Sequence, residues 1–373
     1  MKIKILAISH AFVKKINLSF YEKLSLTKNF QVSCVVPASY LYNGKKIYPD
    51  FKKKNKLISI IKSNIINSST RFIFFKNLNK IIKKEKPNIV VLDNDTVSLQ
   101  SLYLIFFSFF FSYKICYFCN ENNIKNVFSD LKFKKIIKFI VIFFINFFIK
   151  SKIYKIFCYT KQIKSNYDFL GYKKKTIVMP LGYNEEIFKL KRKKTKKKLV
   201  ISYFGRITPE KGLHILLKSL KNINFKKWQF FLDIDQVENK LYFSEIKKTI
   251  QNNFEKNKIK YISCDHYSIA KYMSISDIVV LPSIHEEQYG RVIQEAVACG
   301  AITVGSNIGG IPEIIKDKDL LFEPGNHEQL SKILNKLNDK RYLDKKFKKL
   351  YRSIKNERTI KKQIKIFINN LGK

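Results

Sequence analysis

The amino-acid sequence predicts an α/β chain folded as two doubly wound parallel-sheet domains. Three observations carry this expectation. Short apolar runs alternate with longer helix-like segments, the pattern of strands buried under helices on both faces. The 373 residues exceed one ordinary core and suit two. A polar, Lys-rich stretch at residues 189–198 separates one strand–helix series from a second.

In chain order, residues 3–9 read as a first strand, 12–27 as a helix and 30–36 as a second strand. Pro87 punctuates entry into an apolar run over 87–93, a further strand. Residues 115–119 and 153–159 continue the series, with apolar helices between them, and 173–179 form a basic strand. The second series opens with a strand at 199–204, a turn at Gly205 and a helix at 213–220. Strands at 229–234, 259–263, 278–281 and 302–305 follow, and the amphipathic tail 359–371 reads as a closing helix. The expected organisation is an N-terminal domain over 1–180, a second domain over 181–355, and a terminal helix over 356–373 that packs back towards the first.

The formal net charge of +43 invites a nucleic-acid or membrane-surface reading. The basic residues are mostly Lys, and Ile, Asn and Phe are equally abundant, as in Ile58-Ser-Ile-Ile-Lys-Ser-Asn-Ile-Ile-Asn67. That mixture is what A/T-rich codon usage produces. No recognition helix, zinc finger or RNA-binding aromatic motif supports nucleic acid, so no nucleic-acid partner is expected. The Phe-rich runs around 102–111 and 139–149 are half the length of a spanning helix. They read as core helices or as an apolar face near anionic lipid. The six cysteines include Cys116-Tyr-Phe-Cys119, but no second pair or His cluster completes a zinc site. Reduced, buried thiols in a cytoplasmic protein are expected. The opening run Met1-Lys-Ile-Lys-Ile-Leu-Ala-Ile-Ser9 reads as a strand and not as a secretory leader.

The most informative segment runs from Leu281 through Glu287-Gln-Tyr-Gly-Arg-Val-Ile-Gln-Glu295 to Gly309-Gly-Ile-Pro-Glu313. A strand ends at Leu281, a loop follows, and Gly290 opens a helix. The free N–H groups at the start of that helix, near Gly290 to Val292, make an anion site by geometry and dipole. Glu287 on the loop and Glu295 within the helix are carboxylates beside that site, suited to sugar hydroxyls. Equally, Glu287 reads as a charge complementing the helix dipole and Glu295 as a solvated helix residue. The second segment is Tyr203-Phe-Gly-Arg-Ile-Thr-Pro-Glu-Lys-Gly-Leu213, where Gly205 permits a tight turn. Arg206 and Lys211 flank that turn and suit one phosphate group, or stand as solvated surface charges.

Together the segments resemble the retaining glycosyltransferases of family 4, which have the two-domain GT-B fold, two Rossmann-like sheets facing across a cleft. The resemblance rests on Gly-Arg-x-x-x-Glu-Lys-Gly (Gly205–Gly212), the glutamates 287 and 295, Glu-Ala-x-Ala-Cys-Gly (Glu295–Gly300) and Gly-Gly-x-Pro-Glu (Gly309–Glu313). It is strong over residues 177–330 and weak before them. It implies transfer of a sugar from a UDP- or GDP-sugar to a saccharide or lipid-linked acceptor, with retention and without a bound metal or other cofactor. Arg206 and Lys211 would then bind the donor diphosphate, Glu287 the donor sugar, and Glu295 the ribose. Gly205, Tyr289, Gly290, Arg291 and Val292 would complete the donor site. A scaffold that binds a nucleotide sugar without turnover, and a sugar-nucleotide epimerase, are the rival readings.

Several positions depart from that family's pattern. Ser9-His-Ala-Phe-Val-Lys14 has no glycine after the first strand, and His10 stands there as an acceptor-side candidate. Asn120-Glu-Asn-Asn123 replaces a usual His, leaving Glu121 as a second one. Leu232-Asp-Ile-Asp-Gln236 and Cys264 replace glycines near the expected base site.

Overall fold

The computed structural model describes residues 2–42, 45–51, 55–66, 72–94, 96–119, 144–191, 198–265 and 268–372. The chain divides into two compact units, one of Met1–Pro180 with Gln363–Lys373 and one of Leu181–Lys362.

The strands of the first unit are β1 (Ile3–Ile8), β2 (Phe30–Pro37), β3 (Tyr40–Tyr42), β4 (Lys45–Ile47), β5 (Ser59–Ser63), β6 (Ile65–Ile66), β7 (Phe74–Phe75), β8 (Ile89–Leu92), β9 (Lys114–Cys119), β10 (Ile153–Cys158) and β11 (Thr176–Val178). Seven of them form one parallel sheet in the order β11-β10-β9-β8-β1-β2-β5. β3 pairs with β4 and β6 with β7 as short antiparallel ladders. The strand order reverses between β1 and β8, as in a doubly wound sheet. Each central strand is apolar on both faces, and Ile-Val-Val-Leu of β8 is wholly buried, as helices on both sides require.

The expected helix at 12–27 is shorter. Two 3₁₀ turns, His10–Val13 and Lys15–Leu18, precede the helix Ser19–Ser25. Ser9 caps the first turn through the Ala11 N–H at 3.1 Å, and the Asn17 amide donates to the Ala11 carbonyl at 2.7 Å. These local bonds compete with α-helical ones. The run read as compositional drift supplies β5, an edge strand with one neighbour, β2.

The second unit carries β12 (Leu199–Tyr203), β13 (Trp228–Asp233), β14 (Ile259–Ile262), β15 (Ile278–Leu281), β16 (Ile302–Ser306) and β17 (Leu321–Phe322). All are parallel, in the order β14-β13-β12-β15-β16-β17. Here the order reverses between β12 and β15, where Ile201 pairs with Ile278 and Ser202 with Val279. The closing helix Ile360–Asn369 starts in this unit. From Gln363 on it belongs to the first unit, where Phe367 lies among Phe20, Phe118 and Phe157 with ring centroids 5.1–5.6 Å apart.

Candidate active site

The site forms where the loops after β12 and β15 diverge from neighbouring strand ends, the place at which doubly wound sheets bind ligands. After β12 the Tyr203 hydroxyl donates to the Arg206 carbonyl at 2.7 Å and closes the turn at Gly205. The 3₁₀ turn Pro209–Lys211 then leads to Gly212, whose φ is +68°. A Cβ at Gly212 would lie 1.8 Å from the Pro282 carbonyl oxygen. Only glycine lets the two loops touch there, and the Ile284 N–H, donating to the Glu210 carbonyl at 2.9 Å, fastens them.

That closeness brings two predicted residues together. The Lys211 Nζ lies 2.5 Å from Glu287 Oε1, and the Ser283 hydroxyl donates to the same oxygen at 2.8 Å. Both partners of the pair are about one-sixth exposed, at 18% and 17%, so the pair is partly screened.

The Glu287 loop is held from its other side by the Gly-Gly turn. The Gly310 N–H donates to the Glu287 carbonyl at 2.7 Å. A Cβ at Gly309, where φ is +57°, would lie 2.3 Å from that same oxygen. The Gly-Gly-x-Pro-Glu motif thus works as a clasp on the loop that carries Glu287.

Gly290, at φ +74°, opens the helix Arg291–Cys299, which has no side-chain cap and no acid in its first turn. First-turn amides lack intrahelical acceptors and, with the helix dipole, favour an anion. Gly290, Arg291 and Val292 border a cavity of about 230 Å³ that Gly205, Arg206, Lys211, Gln236, Ser283 and Glu287 also line. Three cationic side chains and one helix N-terminus therefore share one cavity with Glu287.

Glu295 and Tyr289 are not among that cavity's lining residues. Glu295 is buried, with Arg291 Nε at 4.0 Å, and burial pushes its carboxyl up to about 7 while Arg291 pulls it back. Tyr289 is buried. The phenol accepts from Arg358 Nη1 at 2.8 Å and has the Leu181 carbonyl at 2.8 Å and Gln294 Oε1 at 3.0 Å, one of which its single proton serves. Arg206 is the most exposed of the three cations apart from Arg291, and it pairs with Glu238 at 3.0 Å.

In the first unit, His10 follows β1 and Asp93 follows β8, again at the strand-order reversal. The Ser9 hydroxyl donates to Asp93 Oδ2 at 3.0 Å, and the His10 ring lies 5.3 Å from that of Tyr40. Burial lowers the His10 pKa, and Asp93 opposes the shift. Glu121 lies outside the described residues.

The two glycine departures meet each other. The Cys264 N–H donates to Asp233 Oδ1 at 3.2 Å, and the Asp235 N–H to the same atom at 3.1 Å. Burial pushes the Asp233 carboxyl up to about 6. An aspartate side chain thereby joins the turns after β13 and β14.

Ser283, Glu238 and Arg358 were not foreseen. Ser283 lies within the informative segment 281–313, two residues after its strand ends, and Glu238 lies in a segment without a motif. Arg358 is remote in sequence; it reaches the Tyr289 phenol and the Glu313 carbonyl, the latter at 2.6 Å. Among the described residues no cluster of three or more His, Cys, Asp or Glu is placed to hold a metal ion.

Comparison with known proteins places these observations. Residues 184–356 match the family model of glycosyl transferases group 1. An uncharacterised glycosyltransferase of Methanocaldococcus jannaschii is 31% identical over 200 residues, 50% of this chain and 50% of that protein. The serotype-specific mannosyltransferase WbdA of Escherichia coli is 38% identical over 68 residues, 18% of this chain and 8% of that protein. The chain thus spans half the length of the first of these curated relatives and less of the second. The solved structure of Anabaena Alr3699/HepE in complex with UDP and glucose superposes with a TM-score of 0.74 at 16% identity, covering 99% of each chain. The fold is GT-B, two Rossmann-like doubly wound parallel sheets.

Proposed function

We propose that this chain, a GT-B protein carrying a glycosyl transferases group 1 match, is a family 4 type glycosyltransferase. It moves a hexosyl group from a nucleoside-diphosphate sugar to a saccharide or lipid-linked acceptor, with retention, in cell-envelope polysaccharide synthesis. The observation that carries this reading is the Lys211–Glu287 pair, held at the strand-order reversal beside an uncapped helix N-terminus. The solved likeness bound to UDP and glucose, and the mannosyltransferase relative, support the substrate class.

Chemically, the bond between the sugar's anomeric carbon and the phosphate oxygen breaks, and its electron pair leaves with the diphosphate. Lys211, Arg206 and the amides of Gly290–Val292 meet that growing charge. Preorganised donors of this kind contribute most where charge develops. Glu287, anchored by Ser283, accepts from a hydroxyl of the donor sugar and keeps Lys211 in position. The acceptor hydroxyl oxygen bonds to the anomeric carbon, and its proton departs with the diphosphate. Glu295 takes the ribose hydroxyls, and His10 in its neutral form orients the acceptor. No step calls on a metal, so turnover persists in a chelator.

A thermal-shift screen over UDP-, GDP-, ADP- and CMP-sugars identifies the donor, since a ligand at about one hundred times its Kd stabilises by about 2.7 kcal/mol. With that donor, Lys211→Ala and Glu287→Ala lower nucleoside-diphosphate release about a hundredfold with the fold intact. Parent-like release in both variants would refute the site, and donor binding with no transfer or hydrolysis by the parent would refute turnover.

A further inference from the structure

The first unit presents an aromatic surface that the sugar-transfer reading does not use. Phe106, Phe109, Phe110, Phe147 and Phe148 are each between 57% and 74% exposed. They form one neighbourhood. Phe106 and Phe110 lie 5.3 Å apart, and Lys152 Nζ sits 3.8 Å over the Phe109 ring, which ties the turn after Phe147 and Phe148 to the end of the helix Leu99–Phe107. An isolated exposed Phe is ordinary, whereas several side by side mark a surface that something covers.

The rim is basic. Residues 144–178 contain eight lysines and one acid, Asp168, which pairs with Lys164 at 2.5 Å. Lys175 donates to the Lys150 carbonyl at 2.6 Å, so its ammonium lies close beside the Lys150 and Lys152 segment. Like charges gathered at the edge of an apolar face repel each other until an anionic surface covers them. Exposed phenyl rings with lysines beside them, Lys152 over Phe109 and Lys175 near Lys150, match the boundary of a bilayer, where rings enter the acyl edge and ammonium groups meet acidic headgroups. No helix among the described residues is long and apolar enough to cross a membrane, so the face would lie on the bilayer.

We infer that this Phe–Lys face of the first unit docks on an anionic lipid surface. Sequence-wide basicity would also draw the chain to such a surface, so the test separates rings from charge. Vesicles of phosphatidylcholine, with or without about 30 mol% phosphatidylglycerol, are floated with the full chain at about 0.15 M and about 0.5 M salt. The expected result is binding to the acidic vesicles, at least tenfold weaker to the neutral ones. The triple variant Phe109→Ser, Phe110→Ser, Phe148→Ser keeps every charge and is expected to bind at least tenfold less, with the gap persisting at the higher salt. Lys150→Gln with Lys152→Gln is expected to lose more than Arg341→Gln with Lys345→Gln, an equal charge change on the helix Lys340–Glu357. Parent-like binding by the triple-serine variant would overturn the inference, because charge alone would then suffice. So would an equal loss from the two paired charge variants, or a parent dimer that the serine variant abolishes while vesicle binding is absent.

Discussion

Replacing Gly309 by Ala tests how the clasp positions the reacting side chains. The added Cβ would stand 2.3 Å from the Glu287 carbonyl oxygen and 2.8 Å from its amide nitrogen, where real contacts essentially never fall below 3.0 Å. The Glu287 loop must therefore retreat by roughly 1 Å, a displacement that can cost about a hundredfold in rate. The left-handed backbone at φ +57° adds about 1–2 kcal/mol of strain for a residue with a side chain. Loss of the bond from the Gly310 N–H to the Glu287 carbonyl adds about 1 kcal/mol. Together these predict a destabilisation of roughly 2–3 kcal/mol, or about 4–12 °C in the melting of a unit this size. Gly325→Ala is the comparator, because φ there is +83° but nothing lies within 4 Å of the new Cβ. It carries the backbone strain without moving Glu287. Stopped assays of nucleoside-diphosphate release and thermal melts read both effects. Release by Gly309→Ala within twofold of Gly325→Ala would refute the clasp.

Further outcomes follow from the same geometry. Glu295→Gln removes an ionisation that burial disfavours: the folded carboxyl titrates near 7 and the unfolded one near 4.5. Its stabilising contribution is full below the unfolded value and is lost as pH rises through the folded one, by about 3 kcal/mol. The Gln variant should melt relatively higher above pH 7 than at pH 4.5; a parent–variant difference flat with pH contradicts this. Arg358→Leu leaves the Tyr289 phenol and the Glu313 carbonyl without their buried donor. It is expected to cost about 1–3 kcal/mol by denaturant melts, and a loss under about 0.5 kcal/mol would show the bonds to be incidental. Burial pushes Cys116, Cys158, Cys264 and Cys299 up to about 12, so a thiol reagent should titrate them only after unfolding. Rapid labelling of the native chain would contradict their placement.

Much of the fold was legible because buried parallel strands are apolar on both faces. Ile-Val-Val-Leu at β8 and again at β15 needs no partner to be read as a strand. β5 was not legible: an edge strand buries little, and Ser-Ile-Ile-Lys-Ser looks like its compositional background. The helix expected from residue 12 failed for a local reason, since the Ser9 and Asn17 side chains serve backbone groups that a longer helix would need.

At the site, glycines and charges were visible because they cluster within two short segments. The Lys211–Glu287 pairing was not visible, because it depends on Gly212 letting Pro282 approach across 70 positions of chain. Arg206 illustrates the converse: its motif is plain, yet its partner Glu238 comes from a segment without one. Arg358 left no local signal at all, since its two acceptors come from separate loops and only the folded chain brings them together.

A crystal structure of the chain with the donor chosen by the thermal-shift screen would probe the sugar-transfer account most directly. The account predicts the diphosphate within hydrogen-bonding distance of Lys211 Nζ and the Gly290–Val292 amides, with the sugar against Glu287. A diphosphate seated elsewhere, for instance among Lys316, Lys318 and Lys332, with Lys211 still closed on Glu287, would contradict it.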